Sequence, residues 1–409
     1  MSDPYAVLKI ADFRFYISAR FCVTLAIQIQ GVVVGLQIYY LTKDPLALGL
    51  IGLVEAIPSI VVSLYAGHVA DIVRRKKIIV WCLSTLLLCS SLLLFFSTDA
   101  GALIGVFGVI PIYSVIFLSG VARGFLTPAN FSFMPQLVPR ELYQGAITMN
   151  STVWETASIA GPAVAGILAA KLGITFAYTI DVILTAIALM LVLNVTNKPL
   201  PPESEQQGTI EKIKAGLNFV FTNKIVLGAM CLDLFAVLFG GAVALLPIFA
   251  EEILHVGEIG FGVLRAAPSI GALLMAFVLI HNPIKRNMGR LLLWCVSGFG
   301  LCMITFGIST SFWLSLSLLV AAGAFDCVSV IIRMTLLQTL TPENMKGRVS
   351  AVNNIFLGSS NEIGMFESGV AAKAFGVVPS VIFGGCMTIA VVATIGWLGK
   401  SLRKLQNVS

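Results

Sequence analysis

The chain has 409 residues, of which 58% are hydrophobic and 11% charged, with a net charge of +6 and a mean hydropathy of +0.96. A soluble domain carries about 25% charged residues, so a water-soluble globular protein is excluded. Apolar runs of about 18 residues or more recur along the chain, each able to cross a hydrocarbon core about 30 Å thick. A β-barrel would show short alternating segments instead.

Twelve spans are predicted, at 14–41, 47–70, 78–97, 102–134, 142–170, 174–195, 225–250, 260–281, 289–308, 311–339, 347–372 and 378–399. The first lacks a small-residue cleavage site and continues to full spanning length, so it is read as a retained helix. Between spans six and seven, residues 196–224 begin Pro/Glu/Gln/Ser-rich and read as a linker. Within it, Ile210, Ile213, Leu217 and Val220 form one stripe of an amphipathic helix suited to the cytoplasmic membrane surface. The organisation expected is therefore a six-helix bundle (1–195), a linker (196–224) and a second six-helix bundle (225–409).

The halves repeat. "LVEAIPSI" at 53–60 returns as "VLRAAPSI" at 263–270, "VPREL" at 138–142 as "TPENM" at 341–345, and "AAKLG" at 169–173 as "AAKAFG" at 371–376. Matching spans run in the same direction, as in a parallel repeat with its pseudo-twofold axis along the membrane normal. The first repeat keeps its proline (Pro58, Pro268) but exchanges Glu55 for Arg265. Opposite signs at one depth suit either an attraction between facing halves or separate pairs that fix helix register within each half.

Nineteen of the 26 Lys and Arg residues fall on the side of both termini, three on the other side, and four inside spans. The positive-inside rule then places both termini in the cytoplasm. The net charge reflects topology, and no nucleic-acid partner is expected. All eight cysteines fall inside spans without C-x-x-C spacing, so neither a disulfide framework nor a zinc site is expected. No metal cluster, nucleophile–base set or P-loop appears, which argues against an enzyme and against ATP-driven transport on this chain. No cofactor is expected.

Ionisable residues inside a membrane are expensive and mark function or pairing. Counting 1.5 Å per residue from span ends sorts them into three layers. Arg20, Asp233 and Arg333 form a cytoplasmic layer; Arg123, Glu155, Asp326 and Glu362 a middle layer; Glu55, Asp181, Arg265 and Glu367 a periplasmic layer. In the middle layer one arginine faces three carboxylates. Arg123 is assigned Glu155 as its local partner, which leaves Asp326 or Glu362 without a cation, suited to bind a proton or a cationic substrate. Gln28 and Asn150 either line a cavity or bond between helices, with Asn353 and Asn354 in the place matching Asn150. Trp154 either stacks on an aromatic substrate or packs.

Three segments resemble the major facilitator superfamily. "GHVADIVRRKK" at 67–77 is similar to its loop between spans two and three, with Gly67, Asp71, Arg75 and Lys76 matching and Ile72 and Arg74 departing. "VARGFLTPA" at 121–129 resembles its fourth helix with a buried Arg123, and "AGPAVAG" at 160–166 a Gly-Pro motif of exporters. "ARGFLTPANFSFMPQLVPRE", "YTIDVILTAIAL" and "SSNEIGMFESGVAAKAFG" resemble the subfamily of bacterial siderophore and macrolide exporters.

The resemblance implies an all-α, twelve-helix transporter of two pseudo-twofold bundles in a bacterial cytoplasmic membrane. It would export an amphipathic small molecule, a siderophore first and a drug or macrolide second, by proton antiport. Import of a ferric siderophore is the runner-up, and a non-transporting receptor or lipid-handling protein the reading from another class. The implied partners are the small-molecule substrate, protons and the lipid bilayer, with a monomeric protein. Gly67, Asp71, Arg74, Arg75 and Lys76 are the expected gating loop. The expected substrate and coupling residues are Arg20, Gln28, Glu55, Arg123, Asn150, Trp154, Glu155, Asp233, Arg265, Asp326, Arg333, Asn353 and Glu362.

Overall fold

The computed structural model describes residues 6–98, 102–198, 217–240, 242–282, 284, 287–342 and 345–398. Twelve long helices account for most of them. They are α1 (Ala11–Thr42), α2 (Pro45–Ile72), α3 (Arg75–Phe96), α4 (Ile110–Phe133), α5 (Tyr143–Leu172), α6 (Ile174–Leu193), α7 (Lys224–Gly240), α8 (Gly257–His281), α9 (Met288–Ile308), α10 (Phe312–Leu340), α11 (Lys346–Phe375) and α12 (Val377–Leu398). Eleven are long and apolar enough to cross a membrane. The remaining one, α11, has the length, at 30 residues, but carries Asn353, Ser360, Asn361, Glu362, Glu367 and Ser368.

Two predicted spans are interrupted. Residues 102–134 form a short helix, Ala102–Phe107, and then α4, because Gly108 turns the backbone to φ +59°. The predicted 225–250 span ends as a regular helix at Gly240 and continues through short 3-10, α and π turns to Ile253, with Pro247 among them. The outward surface is apolar, as a lipid solvent requires. Trp81, Trp294, Trp313 and Trp397 are each at least 67% exposed, a display that water would not tolerate.

The chain divides into two compact units. The first comprises Met1–Thr42, Val54–Gln206 and Gly257–Gly262; the second comprises Lys43–Leu53, Gln207–Val256 and Val263–Ser409. In the first, α1 packs on α5 and α6, and α3 on α4 and α6. In the second, α7 packs on α11 and α12, and α9 on α10 and α12. The pairing pattern is thus the same twice.

Glycines mark the equivalence at atomic detail. Gly120 of α4 lies so close to α2 that a Cβ there would stand 2.5 Å from the Glu55 carbonyl oxygen and 2.9 Å from Pro58. Gly323 of α10 meets α8 the same way, 2.0 Å from the Pro268 oxygen. Close helix approach in a membrane is driven by van der Waals packing, which small residues permit. Three residues after each glycine stand Arg123 and Asp326, so the sign reversal of Glu55 and Arg265 is accompanied by a second reversal on the neighbouring helix.

Of the amphipathic stripe in the linker, Ile210 and Ile213 lie outside the described residues. Leu217 and Val220 are helical. Val220 is fully buried among Val226, Met230, Leu337, Val349 and Val352. At these two positions the apolar stripe is covered by protein rather than by lipid.

Candidate functional site

In the first unit five helices converge on one polar chain. Arg123 of α4 donates through Nη1 to Glu55 Oε1 of α2, forming an ion pair. Its Nη2 donates to Gln30 Oε1 of α1 at 3.1 Å. The Gln30 amide then donates through Nε2 to Asp181 Oδ2 of α6 at 3.2 Å and to Ser90 Oγ of α3 at 3.3 Å. Arginine only donates, so the Gln30 oxygen must face Arg123 and its amide hydrogens must face Asp181. Gln30, Ser90 and Asp181 are buried, at 6%, 1% and 1% exposure.

This corrects the partner assigned to Arg123: the carboxylate is Glu55, not Glu155. Counting residues from helix ends ignores where a side chain leans. Helical side chains point toward their own N-terminus, so Arg123 reaches back along α4 toward the end where α2 also begins. The two Cα levels differ by about three residues, roughly 5 Å, well within the span of an arginine side chain. Glu155 is half-buried, and among the described residues it has no ion pair.

A second set of polar contacts runs along α1. Gln28 donates to Ser158 Oγ of α5 at 3.1 Å, and Tyr178 donates to Gln37 Oε1 at 2.6 Å. Gln28 is therefore a bond between helices. Trp154 is 46% exposed on α5, so it is not a core packing residue. Arg20 lines a small cavity with Tyr16 and Asn130. The buried Nε of Arg20 and Oδ1 of Asn150 have no partner among the described residues.

The basic loop after α2 holds helix ends. Arg75 donates to the Ser132 carbonyl at 3.1 Å, at the end of α4. Lys76 donates to the carbonyls of Leu193 and Val195 at 2.9 and 2.6 Å. A lysine there satisfies orphan carbonyls at the end of α6 and faces the negative pole of its dipole. Arg74 is exposed at the start of α3. Gly67 and Asp71 fall in α2, but their side chains lie outside the described residues.

In the second unit, Arg333 of α10 forms an ion pair with Asp233 of α7, two residues that the sequence had placed at one depth. Arg333 is 1% exposed, and its Nε and Nη2 have no partner among the described residues. One face of α10 carries Asp326, Ser329 and Arg333. Asp326 and Ser329 line a small enclosed cavity with Asp233, Val237, Phe299 and Phe325. Among the described residues no ion pair reaches Asp326. Arg265 and Glu362 are half-buried and both engaged in polar or electrostatic contacts. Asn353 is buried at 2% exposure, and the side chain of Asn354 lies outside the described residues. At the start of α2, Lys373 of α11 pairs with Asp44 at 2.6 Å. The Lys373 ammonium holds the Asp44 carboxyl below the usual carboxylate range.

Sequence reasoning placed Asp181 and Gln30 at no site. Their signal was available: glutamines seven apart on α1 (Gln30, Gln37) face polar residues three apart on α6 (Asp181, Tyr178) in inverted order, as antiparallel neighbours require. Among the described residues there is no group of three or more His, Cys, Asp and Glu that could hold a metal ion.

Residues 16–365 match the family model of the Major Facilitator Superfamily. The chain belongs to the major facilitator superfamily. As a member it is a transporter and not an enzyme, a multi-pass membrane protein of the helical fold described above. Its relatives include the enterobactin exporter EntS of Shigella boydii serotype 4 (strain Sb227), 28% identical over 83% of this chain and 80% of the relative. The enterobactin exporter EntS of Escherichia coli O1:K1 / APEC is 27% identical over the same shares. Among solved structures, the POT family transporter PepTSo superposes with a TM-score of 0.75 at 13% identity, covering 96% of this chain and 98% of that one. The D-xylose-proton symporter superposes with 0.73 at 13% identity, covering 95% and 97%. At such identity these two share the superfamily fold with this chain.

Proposed function

We propose that this superfamily member exports an amphipathic small molecule of the siderophore class, driven by proton antiport, with both termini in the cytoplasm and the boundaries 1–195, 196–224 and 225–409. The observation that carries the substrate class is the similarity to proteins named enterobactin exporter over 83% of the chain. Proton antiport is supported by the distribution of buried charge. Arg123 and Arg333 are each committed to a carboxylate, while the half-buried carboxylates Glu155 and Asp326 have no cation among the described residues. A carboxyl without a cation is free to carry a proton and to return it when hydrated, which is what exchange with a substrate requires. Arg74, Arg75, Lys76, Gly67 and Asp71 form the gate.

The test is transport of enterobactin into inside-out vesicles containing the purified protein, with and without a proton gradient. Accumulation that depends on an acidic interior and collapses with a protonophore supports the reading. Uptake of enterobactin without any dependence on the gradient removes antiport, and no uptake at all removes the substrate.

A further inference from the structure

We propose that Asp181 is a proton-binding site of the first unit, and that Gln30 transmits its protonation to the Arg123–Glu55 pair. The inference rests on the antiport reading above and deepens it by naming a carboxyl that the sequence analysis assigned to no site.

The geometry is a chain of four residues joined by three contacts: Glu55, Arg123, Gln30, Asp181. It holds two carboxyls and one guanidinium. The guanidinium already donates to Glu55 and to the Gln30 oxygen. Asp181, 1% exposed, receives a neutral amide hydrogen from Gln30. An isolated buried charge is costly unless it is paired. Electroneutrality of the chain therefore calls for one proton, and Asp181 is the carboxyl without a direct cation.

The surroundings are otherwise nearly neutral. Helix α6 packs on α1, α3 and α5. From α1 the facing group is Gln30; Arg20 lies ten residues lower, roughly 15 Å along the axis. From α3 come the buried thiol of Cys89 and Ser90, which accepts from Gln30. On α5, Glu155 lies roughly 15 Å further along the axis and Lys171 is at the helix end, roughly 10 Å away in the other direction. On α6 itself Tyr178 is fully buried and bonded to Gln37.

The bridge makes the proton legible to the rest of the network. With Asp181 ionised, its charge holds the Gln30 amide hydrogens and sharpens the Gln30 oxygen as an acceptor for Arg123, drawing the guanidinium away from Glu55. With Asp181 protonated, that pull relaxes and Arg123 belongs to Glu55. The four residues sit on α1, α2, α4 and α6, so one proton shifts the balance of contacts among four helices.

The experiment is an acid-minus-alkaline infrared difference spectrum of the purified protein in lipid, which reads protonated carboxyls directly and needs no substrate. The wild type is expected to show a protonated-carboxyl band that is missing in Asp181→Asn. In Gln30→Met the band should remain but move, because the carboxyl loses one of its hydrogen-bond donors. A folded Asp181→Asn protein that keeps every wild-type band, or a Gln30→Met protein in which no band moves, overturns the proposal. Gln30→Met decides the matter if Asp181→Asn does not fold. A wild type with no titrating band also overturns it. Failure of enterobactin transport with the bands behaving as expected would sink the substrate reading and leave the proton site standing.

Discussion

Replacing Asp233 by Asn is the sharpest test of what the second unit's buried ion pair does. The substitution keeps volume and removes one charge. Arg333 would then be a cation at 1% exposure, with Nε and Nη2 already unpartnered among the described residues, and its remaining charge partner gone. Breaking a buried pair from one side costs about 3–5 kcal/mol. A chain segment of this unit's size shifts its melting temperature by about 2–4 °C per kcal/mol. The expected fall is therefore roughly 6–20 °C, measured as loss of monodisperse protein on heating in detergent. The double replacement Asp233→Leu with Arg333→Met removes both charges and should melt near the wild type or above it, since apolar substitution of a buried pair is often neutral or stabilising by about 1–4 kcal/mol. The reasoning is wrong if Asp233→Asn melts within about 2 °C of the wild type, or if the apolar double variant is worse than the single one.

Glu55→Gln should lower yield and thermal stability because Arg123 loses its carboxylate, whereas Glu155→Gln should leave both unchanged; equal losses in the two variants would restore Glu155 as a structural partner. Gly323→Ala should lower the melting temperature, since its Cβ would stand 2.0 Å from a backbone oxygen, while Gly105→Ala, with nothing within 4 Å, should be silent; overpacking of this kind typically costs about 1–3 kcal/mol. The exposed Lys373–Asp44 pair should contribute at most about 1 kcal/mol, and Asp44→Asn should erase the salt dependence of that contribution. Its Asp44 carboxyl is held below its unfolded value near 3.9. Its stabilisation is therefore complete above about pH 4 and is lost as pH falls further; a loss on raising pH instead would contradict the assignment. Asp71→Asn should reduce transport while expression and membrane insertion stay normal, and unchanged transport would reduce the basic loop to a topological signal.

Helices were legible wherever hydrophobic length decides them. All twelve predicted spans have a helical counterpart, and the two that break do so at Gly108 and after Gly240, where glycine lowers the cost of leaving the helix. The eleventh span was predicted with the rest, although its helix α11 is the most polar of the twelve. The repeat was readable because packing leaves a trace in residue type: a proline on one helix and a glycine on its neighbour recur in both halves. Pairing of charges was far less legible. Asp233 and Arg333 were placed at one depth and do meet, across the contact between α7 and α10. Arg123 was assigned the wrong carboxylate because depth along an axis says nothing about a side chain that reaches across two helices. Asp181 was seen as an intramembrane acid, but its role depends on Gln30, a neutral residue that no charge count would select.

The glycine notches separate two kinds of constraint. Gly120 meets Glu55 and Pro58, and Gly323 meets Pro268, each across a helix pair of its own unit, yet Glu55 corresponds to Arg265 in the repeat and Arg123 to Asp326. Bulk added at a notch meets backbone and is felt at once. A change of sign beside the notch is tolerated wherever the new charge finds a partner within its own unit. The two halves therefore share how their helices touch and differ in the signs of a few side chains inside the membrane.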